Sequence, residues 1–123
     1  MHTRDIRWLA GFLEGEGSFT VNRGVYPRVT VASTDLDVLQ HAASILGGNV
    51  LGPRKCGNLP HHKDDYHVSV NGKYAIAWML TLYPLLGKRR RRRIYHLVRY
   101  WQKHSDVPLK DRPQFLDYEK VAS

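Results

Sequence analysis

The sequence predicts a single α+β domain in which helices alternate with pairs of antiparallel strands. Three observations carry that prediction. Segments alternating polar and apolar with period two come in pairs joined by turn residues. Segments with helical spacing of apolar residues precede, separate and follow those pairs. The chain has 123 residues, 42% of them apolar and 24% charged, which suits one soluble domain with a real core and argues against disorder.

The first helix opens at Thr3 or Asp5, both competent N-caps. It runs through Ile6, Trp8, Leu9, Ala10, Phe12 and Leu13 until Gly15-Glu16-Gly17 stops it. Ser18-Phe19-Thr20-Val21-Asn22 alternates polar and apolar and reads as a half-buried strand. Arg23-Gly24 supplies a turn, and Tyr26 to Ser33 (YPRVTVAS) is its β-branched partner, with Pro27 suited only to an edge or first position. Thr34 caps a second helix that carries Leu36, Leu39, Ala43 and Leu46 at helical spacing and closes at Gly47-Gly48. Val50 to Lys55 and Tyr66 to Val70 (YHVSV) form a second strand pair around a polar loop, Cys56 to Asp65. Asn71-Gly72 leads into a third helix whose face is Ile76, Met79, Leu80 and Tyr83, ended by Pro84. A fourth helix follows, with Ile94, Leu97, Val98 and Trp101 as its stripe. Trp8, Trp78, Trp101 and Tyr83 read as packing residues. From Ser105 onward no period is clear, so residues 105–123 read as a tail behind a domain of residues 1–104.

Charge narrows the partner. The chain has 19 Lys and Arg against 11 Asp and Glu, a net +8, and most of it lies in six consecutive basic residues, Lys88 to Arg93. A polyanion is the first expectation for so basic a domain. Cys56 is the only cysteine, which excludes an internal disulfide framework and fits a reducing, intracellular and cytoplasmic setting. No apolar run approaches the ~20 residues of a membrane-spanning helix, and the start MHTRDIRW has no signal-peptide core.

The first helix holds the most specific signal. Gly11 and Gly15 lie four apart on one face, and each glycine costs a helix about 1 kcal/mol relative to alanine. Close approach of another backbone compensates, either a second copy of the helix or a tight crossing inside one domain. Glu14 and Glu16 sit at the helix C-terminus, where the macrodipole disfavours a carboxylate by a few tenths of a kcal/mol. If two copies pack side by side, the two Glu16 carboxylates also repel, and a hard divalent cation would neutralise them. A basic protein holding such carboxylates is a candidate for metal-assisted phosphodiester hydrolysis. Two solvated glutamates at a helix end are the plain alternative.

Leu9-Ala10-Gly11-Phe12-Leu13-Glu14-Gly15-Glu16-Gly17, followed by Ser18-Phe19, resembles the LAGLIDADG motif of homing endonucleases. The motif occurs once, and the αββαββα order is that family's unit, so the resemblance spans roughly residues 5–104. It implies a homing-endonuclease-like α+β fold with a saddle-shaped antiparallel sheet seated in the DNA major groove, followed here by a helix and short tail. It also implies the single-motif subclass, a symmetric homodimer whose interface would hold Leu9, Ala10, Gly11, Phe12, Glu14 and Gly15. The implied activity is site-specific cleavage of double-stranded DNA at a pseudo-palindromic site, leaving 3′ overhangs. Glu16 would bind catalytic metal, with Gly15 beside it. Mg²⁺ is the implied ion, Mn²⁺ or Ca²⁺ being able to substitute, and no small-molecule cofactor is implied. Both of the family's usual aspartates are glutamates in this chain, which moves the carboxylates by a methylene. The resemblance leaves open whether an intron, an intein or a free-standing gene is the host.

Extending the stripe of the fourth helix backwards puts Gly87 and Arg90 on its buried side. An arginine cannot enter a core unpaired, and cations at a helix N-terminus oppose the dipole, so this turn is expected to leave the core and face phosphate. A solvated charge run is the alternative. The resemblance adds that a basic residue after Pro84-Leu85-Leu86 stands near the scissile phosphate, here Lys88 or Arg89, with Arg90 and Arg91 as further DNA contacts.

In the strands, Phe19, Val21, Val29 and Val31 fit a core-facing series. Ser18, Thr20, Asn22, Arg23, Arg28, Thr30 and Ala32 would then face the groove, as would Arg54, Lys55, His67 and Ser69 with Asn58, His61, His62 and Lys63 from the loop. Arg and Lys read guanine edges, Asn reads adenine, and Ser and Thr are tolerant. Cys56, His61, His62 and His67, with Asp64 and Asp65, match no closed zinc pattern. The expected partners are double-stranded DNA and a second copy of the chain, with no membrane. A non-cleaving DNA-binding protein and an RNA maturase on the same scaffold are the rival readings.

Overall fold

The structure, a computed structural model, describes residues 2–54 and 64–116. It contains α1 (Thr3–Glu16), β1 (Gly17–Asn22), β2 (Tyr26–Ser33), α2 (Leu36–Leu46), β3 (Leu51–Arg54), β4 (Asp65–Asn71), α3 (Gly72–Leu82) and α4 (Lys88–His104), with 3₁₀ turns at Tyr83–Leu85 and Leu109–Asp111. This is the α+β order expected from the periodicities. The strands form one antiparallel sheet in the order β1-β2-β4-β3.

Alternation along the strands sends Phe19, Val29, Val31, Val68 and Val70 to one face, where Leu9, Leu13, Leu39, Leu46, Met79, Leu82, Ile94, Leu97 and Tyr100 join them in a single core. Each such side chain contributes about 1.5–3 kcal/mol by leaving water. Val21, the end of its series, is only partly buried.

Local chemistry moves several boundaries. His2 rather than Thr3 or Asp5 is the N-cap of α1, and Asp5 instead accepts the His2 N–H at 3.3 Å. Asp35, not Thr34, occupies the N-cap position of α2, while Gly47 ends that helix at φ 84°, a conformation glycine adopts without steric cost. Pro27 lies in the second position of an inner strand. It is tolerated because pairing with β4 begins only at Arg28↔Asn71, so no partner there needs its missing N–H. β3 begins at Leu51 rather than Val50 and its described residues are exposed, with an irregular register between Leu51↔His67 and Arg54↔Asp65; Lys55 lies outside the described residues.

The face of α3 differs from expectation. Ile76 and Met79 are buried as predicted, but Leu80 is 56% and Tyr83 38% exposed. Ala75 and Leu82 take their places. The helix carries apolar residues on both flanks of the Ile76–Met79 line, and packing on β2 selects the flank where small Ala75 permits close approach. In α4 the stripe is likewise rotated: Tyr100 is fully buried while Val98 and Trp101 are half-buried.

The segment after Ser105 packs back on the domain. Phe115 is fully buried, its N–H donates to Gly24 O at 2.8 Å, and its ring meets Tyr100 edge-on at 5.5 Å. Arg112 donates to Val107 O, Ser105 O and Val25 O. The Tyr100 hydroxyl donates to Pro113 O at 2.6 Å, and burial pushes its pKa up against the opposing pull of Arg112. Gly24 has φ +78° and an added Cβ would run into the Gln114 side chain, so the turn and the docked segment specify each other. Phe115→Ala is expected to lower unfolding stability by about 3–5 kcal/mol, read as a shifted denaturant midpoint. A loss under about 1 kcal/mol would mean that the segment adds nothing to the core.

Candidate nucleic-acid interface

The strand register aligns the expected groove-facing residues in rows. Ser18 pairs with Thr30, which pairs with Ser69; Thr20 pairs with Arg28, which pairs with Asn71; Ala32 pairs with His67. All lie on the sheet face opposite the core. A hydrogen-bond ladder orders them: Arg28 Nε and Nη2 donate to Ser69 Oγ at 3.2 and 2.9 Å, Ser69 Oγ donates to Thr30 Oγ1 at 2.8 Å, and Thr30 donates to Val68 O at 3.3 Å. Arg54 pairs with Asp65 at 2.7 Å at the β3 end. His67 Nδ1 and Asn71 Oδ1 have no hydrogen-bond partner among the described residues. In the sequence pattern Asn71 leads into the third helix, and the period of two continued from Ser69 also places it on this face. Asn22 lies at the end of β1 opposite Tyr26, and Arg23 sits in the following turn at φ 55°. Lys55, Asn58, His61, His62 and Lys63 lie outside the described residues, as does Cys56.

α1 divides its motif residues between two faces. Leu9 and Ala10, expected at a contact with a second copy, are 0% and 2% exposed and packed into the chain's own core. The opposite face carries Gly11 and Gly15, exposed, with no described residue within 4 Å of where a Cβ would stand. No described helix of the same chain therefore crosses at these glycines. Phe12 borders them, half-buried and stacked on Trp8 at 5.3 Å.

Glu16 ends α1, exposed, in an open cleft of about 460 Å³ lined also by Phe12, Ala32, Ser33, Thr34, Asp35, Val38 and Asp65. The cleft thus joins the glycine-bearing helix to the Ala32–Asp65 end of the sheet. Among the described residues no three His, Cys, Asp or Glu converge on one point. One chain therefore offers no closed cage: Glu16 shares the open cleft with Asp35 and Asp65 without the three converging on one point. That donor set fits Mg²⁺, which takes one or two carboxylates and completes its shell with water and phosphate oxygens.

The basic run splits by depth. Lys88, Arg89 and Arg92 are exposed, and Arg89 lines a cleft of about 320 Å³ with Ser18, Phe19, Thr20, Arg90 and Arg93. Arg90 does not leave the fold. Its Nη1 donates to Gly17 O at 2.6 Å and its Nη2 to Glu14 O at 3.1 Å, with Glu14 Oε2 at 4.0 Å from Nε. The arginine on the buried side thus finds its partners at the C-terminus of α1, where carbonyls are left over and the dipole is negative. α1 has no basic residue in its own last turn, so Arg90 supplies that cation from another helix. Glu14 faces it. Arg93 donates to Phe19 O at 3.0 Å and lies over the Phe115 ring. Arg90→Ala is expected to cost about 1.5–3 kcal/mol, the range for hydrogen bonds to a charged donor, measured by denaturant unfolding. An unchanged midpoint would remove its capping role.

No protein-family model matches the sequence, and no curated protein matches it. Solved structures do. The homing endonuclease I-CvuI in complex with its target in the presence of Ca superposes with a TM-score of 0.65 at 20% identity, covering 86% of this chain and 73% of that one. The same enzyme in the presence of Mg, its DNA not cleaved, gives 0.64 at 20% identity with the same coverage. The archaeal intron-encoded homing endonuclease I-Vdi141I complexed with DNA gives 0.54 at 21% identity, covering 82% and 73%. The chain has the homing-endonuclease fold. Within that fold α1 corresponds to the stretch that resembles the LAGLIDADG motif, and the open sheet face, the glycine face of α1 and Glu16 adjoin one another. No described helix is long and apolar enough to cross a membrane.

Proposed function

We propose that this chain is a site-specific double-strand DNA endonuclease that works as a homodimer. The observation that carries the reading is the bare Gly11–Gly15 face of α1 ending in the exposed Glu16 carboxylate. A helix face that lacks side chains and has no neighbour among the described residues fits a second copy of itself. Pairing there brings two Glu16 carboxylates and two sheet faces together about a two-fold axis.

Each element then has a task. The open face presents Ser18, Thr20, Asn22, Arg28, Thr30, His67, Ser69 and Asn71 to base edges in the major groove. Two-fold symmetry makes the half-sites pseudo-palindromic. Lys88 and Arg89, exposed at the start of α4, neutralise phosphate near the scissile bond, and Arg91 adds a backbone contact. Glu16 is the residue that would hold Mg²⁺, which when bound activates water and stabilises charge on the scissile phosphate. Glu14 and Arg90 hold the end of α1 so that Glu16 keeps its place. The expected product is a staggered break with 3′ overhangs.

The test is incubation of the full chain with a library of partially palindromic duplexes in Mg²⁺ and, as control, in EDTA. A recoverable set of cut sites with 3′ overhangs that vanishes in EDTA is the expected result. Sites enriched by binding but never cut would replace the enzyme with a DNA-binding protein on the same scaffold.

A further inference from the structure

The net positive charge of this chain is concentrated away from the sheet. Between Gly72 and His104 there are nine Lys and Arg and no Asp or Glu, whereas the remaining residues hold ten basic against eleven acidic. That span is α3, the following turn and α4. On α4 the exposed positions Lys88, Arg92, Tyr95, Arg99 and Gln102 recur at helical spacing, forming one stripe along the whole 17-residue helix, about 25 Å. Arg90 and Arg93, by contrast, are turned toward backbone carbonyls of α1 and β1.

The stripe does not resemble an ordinary solvated face. Tyr95 is 54% exposed at its middle, and beside it an open groove of about 270 Å³ is lined by Leu80, Tyr83, Ile94, Tyr95, Val98, Arg99 and Gln102. Aromatic rings and aliphatic side chains therefore stand in water next to guanidinium groups. No residue of the open sheet face lines this groove.

We infer that the α3–α4 surface binds a single-stranded polynucleotide, with Tyr95 and Tyr83 stacking on unpaired bases and Arg92 and Arg99 pairing with its phosphates. Charge selects a polyanion, since no carboxylate in this span repels phosphate and the cations follow one line. The exposed rings select unpaired bases, whose π-faces a duplex keeps stacked inside. Neither contact depends on the sugar, so ribose and deoxyribose strands share the chemistry. The groove, with Arg92, Tyr95 and Arg99 beside it, is distinct from the sheet face and from Glu16, and only Lys88 at the head of the stripe also belongs to the proposed duplex site.

Fluorescence anisotropy on the full chain tests it. The probes are labelled oligothymidylate and oligouridylate of about 16 nucleotides, with a random duplex and polyglutamate as comparators. At least one of the strands is expected to bind more tightly than polyglutamate, and the stronger of the two names the natural source. Tyr95→Ala should weaken single-strand binding about tenfold and leave duplex binding as in the parent, while Tyr95→Phe, which keeps the ring, retains both. Arg92→Glu combined with Arg99→Glu should reduce affinity further and flatten its salt dependence. All three positions are exposed, so folding is not at stake. Single strands bound no better than polyglutamate, or held equally by parent and Tyr95→Ala, would overturn the assignment.

Discussion

Glu16→Gln is expected to lower the rate of DNA cleavage by at least about a hundredfold while leaving affinity for the DNA site intact. The two side chains are nearly isosteric, so shape is kept and only the charge is removed. The carboxylate stands exposed in its cleft, and among the described residues no cluster of three acids or histidines is available to take over its role. Single-turnover cleavage of preassembled complexes separates this loss from binding, because substrate is already in place. The same variant should unfold at slightly higher denaturant, since a carboxylate at a helix C-terminus opposes the dipole and two of them across a two-fold axis repel. Cleavage at the parent rate would remove Glu16 from the chemistry. Equal losses of affinity and cleavage would make it a binding residue instead.

The second large effect is on assembly. Gly11→Leu is expected to give a monomer that no longer cuts both strands, yet one at least as stable as a single parent chain. No described residue lies within 4 Å of an added Cβ at this position, so the isolated chain has room for the side chain. Relief of a mid-helix glycine is worth up to about 1 kcal/mol of helix stability. Between two copies the same side chain would hold the helices apart and remove the contact that glycine permits. Sedimentation velocity reads the mass, and denaturant unfolding of the monomer reads the stability. A dimer persisting in Gly11→Leu would place the interface elsewhere. A variant that fails to fold would contradict the open surface itself.

Much of this molecule is legible in local patterns. Tyr26–Ser33 is a strand in both readings, because β-branched alternation and its flanking turns are short-range properties. Ser18, Thr20, Arg28, Thr30 and Ser69 fall on one face because the period of two leaves no choice once Phe19, Val29 and Val31 are inside. The glycine pair and the glutamate after it could be recognised as one constellation for the same reason: four residues make one turn of helix.

What periodicity could not supply was which of two acceptable neighbours each face meets. Leu9 and Ala10 belong to the same motif as Gly11, and only packing against the sheet decides that they go inward while the glycines stay bare. Leu80 and Tyr83 look as apolar as Ala75 and Leu82, and the closer approach permitted by alanine settles which flank is buried. The sequence points Arg90 at phosphate because an arginine cannot enter a core unpaired and a cation at a helix N-terminus opposes the dipole. Its carbonyl partners are 76 and 73 residues away, at Glu14 and Gly17. Phe115 sits in a stretch without period, and its burial rests on long-range contacts with Gly24 and Tyr100. The sequence alone determined the elements, their order and the polar face of the sheet, since these follow from backbone geometry within a few residues. The tertiary structure decided which arginine caps a helix, which glycine face stays open and where the chain's end docks, since each depends on groups that only the folded chain brings together.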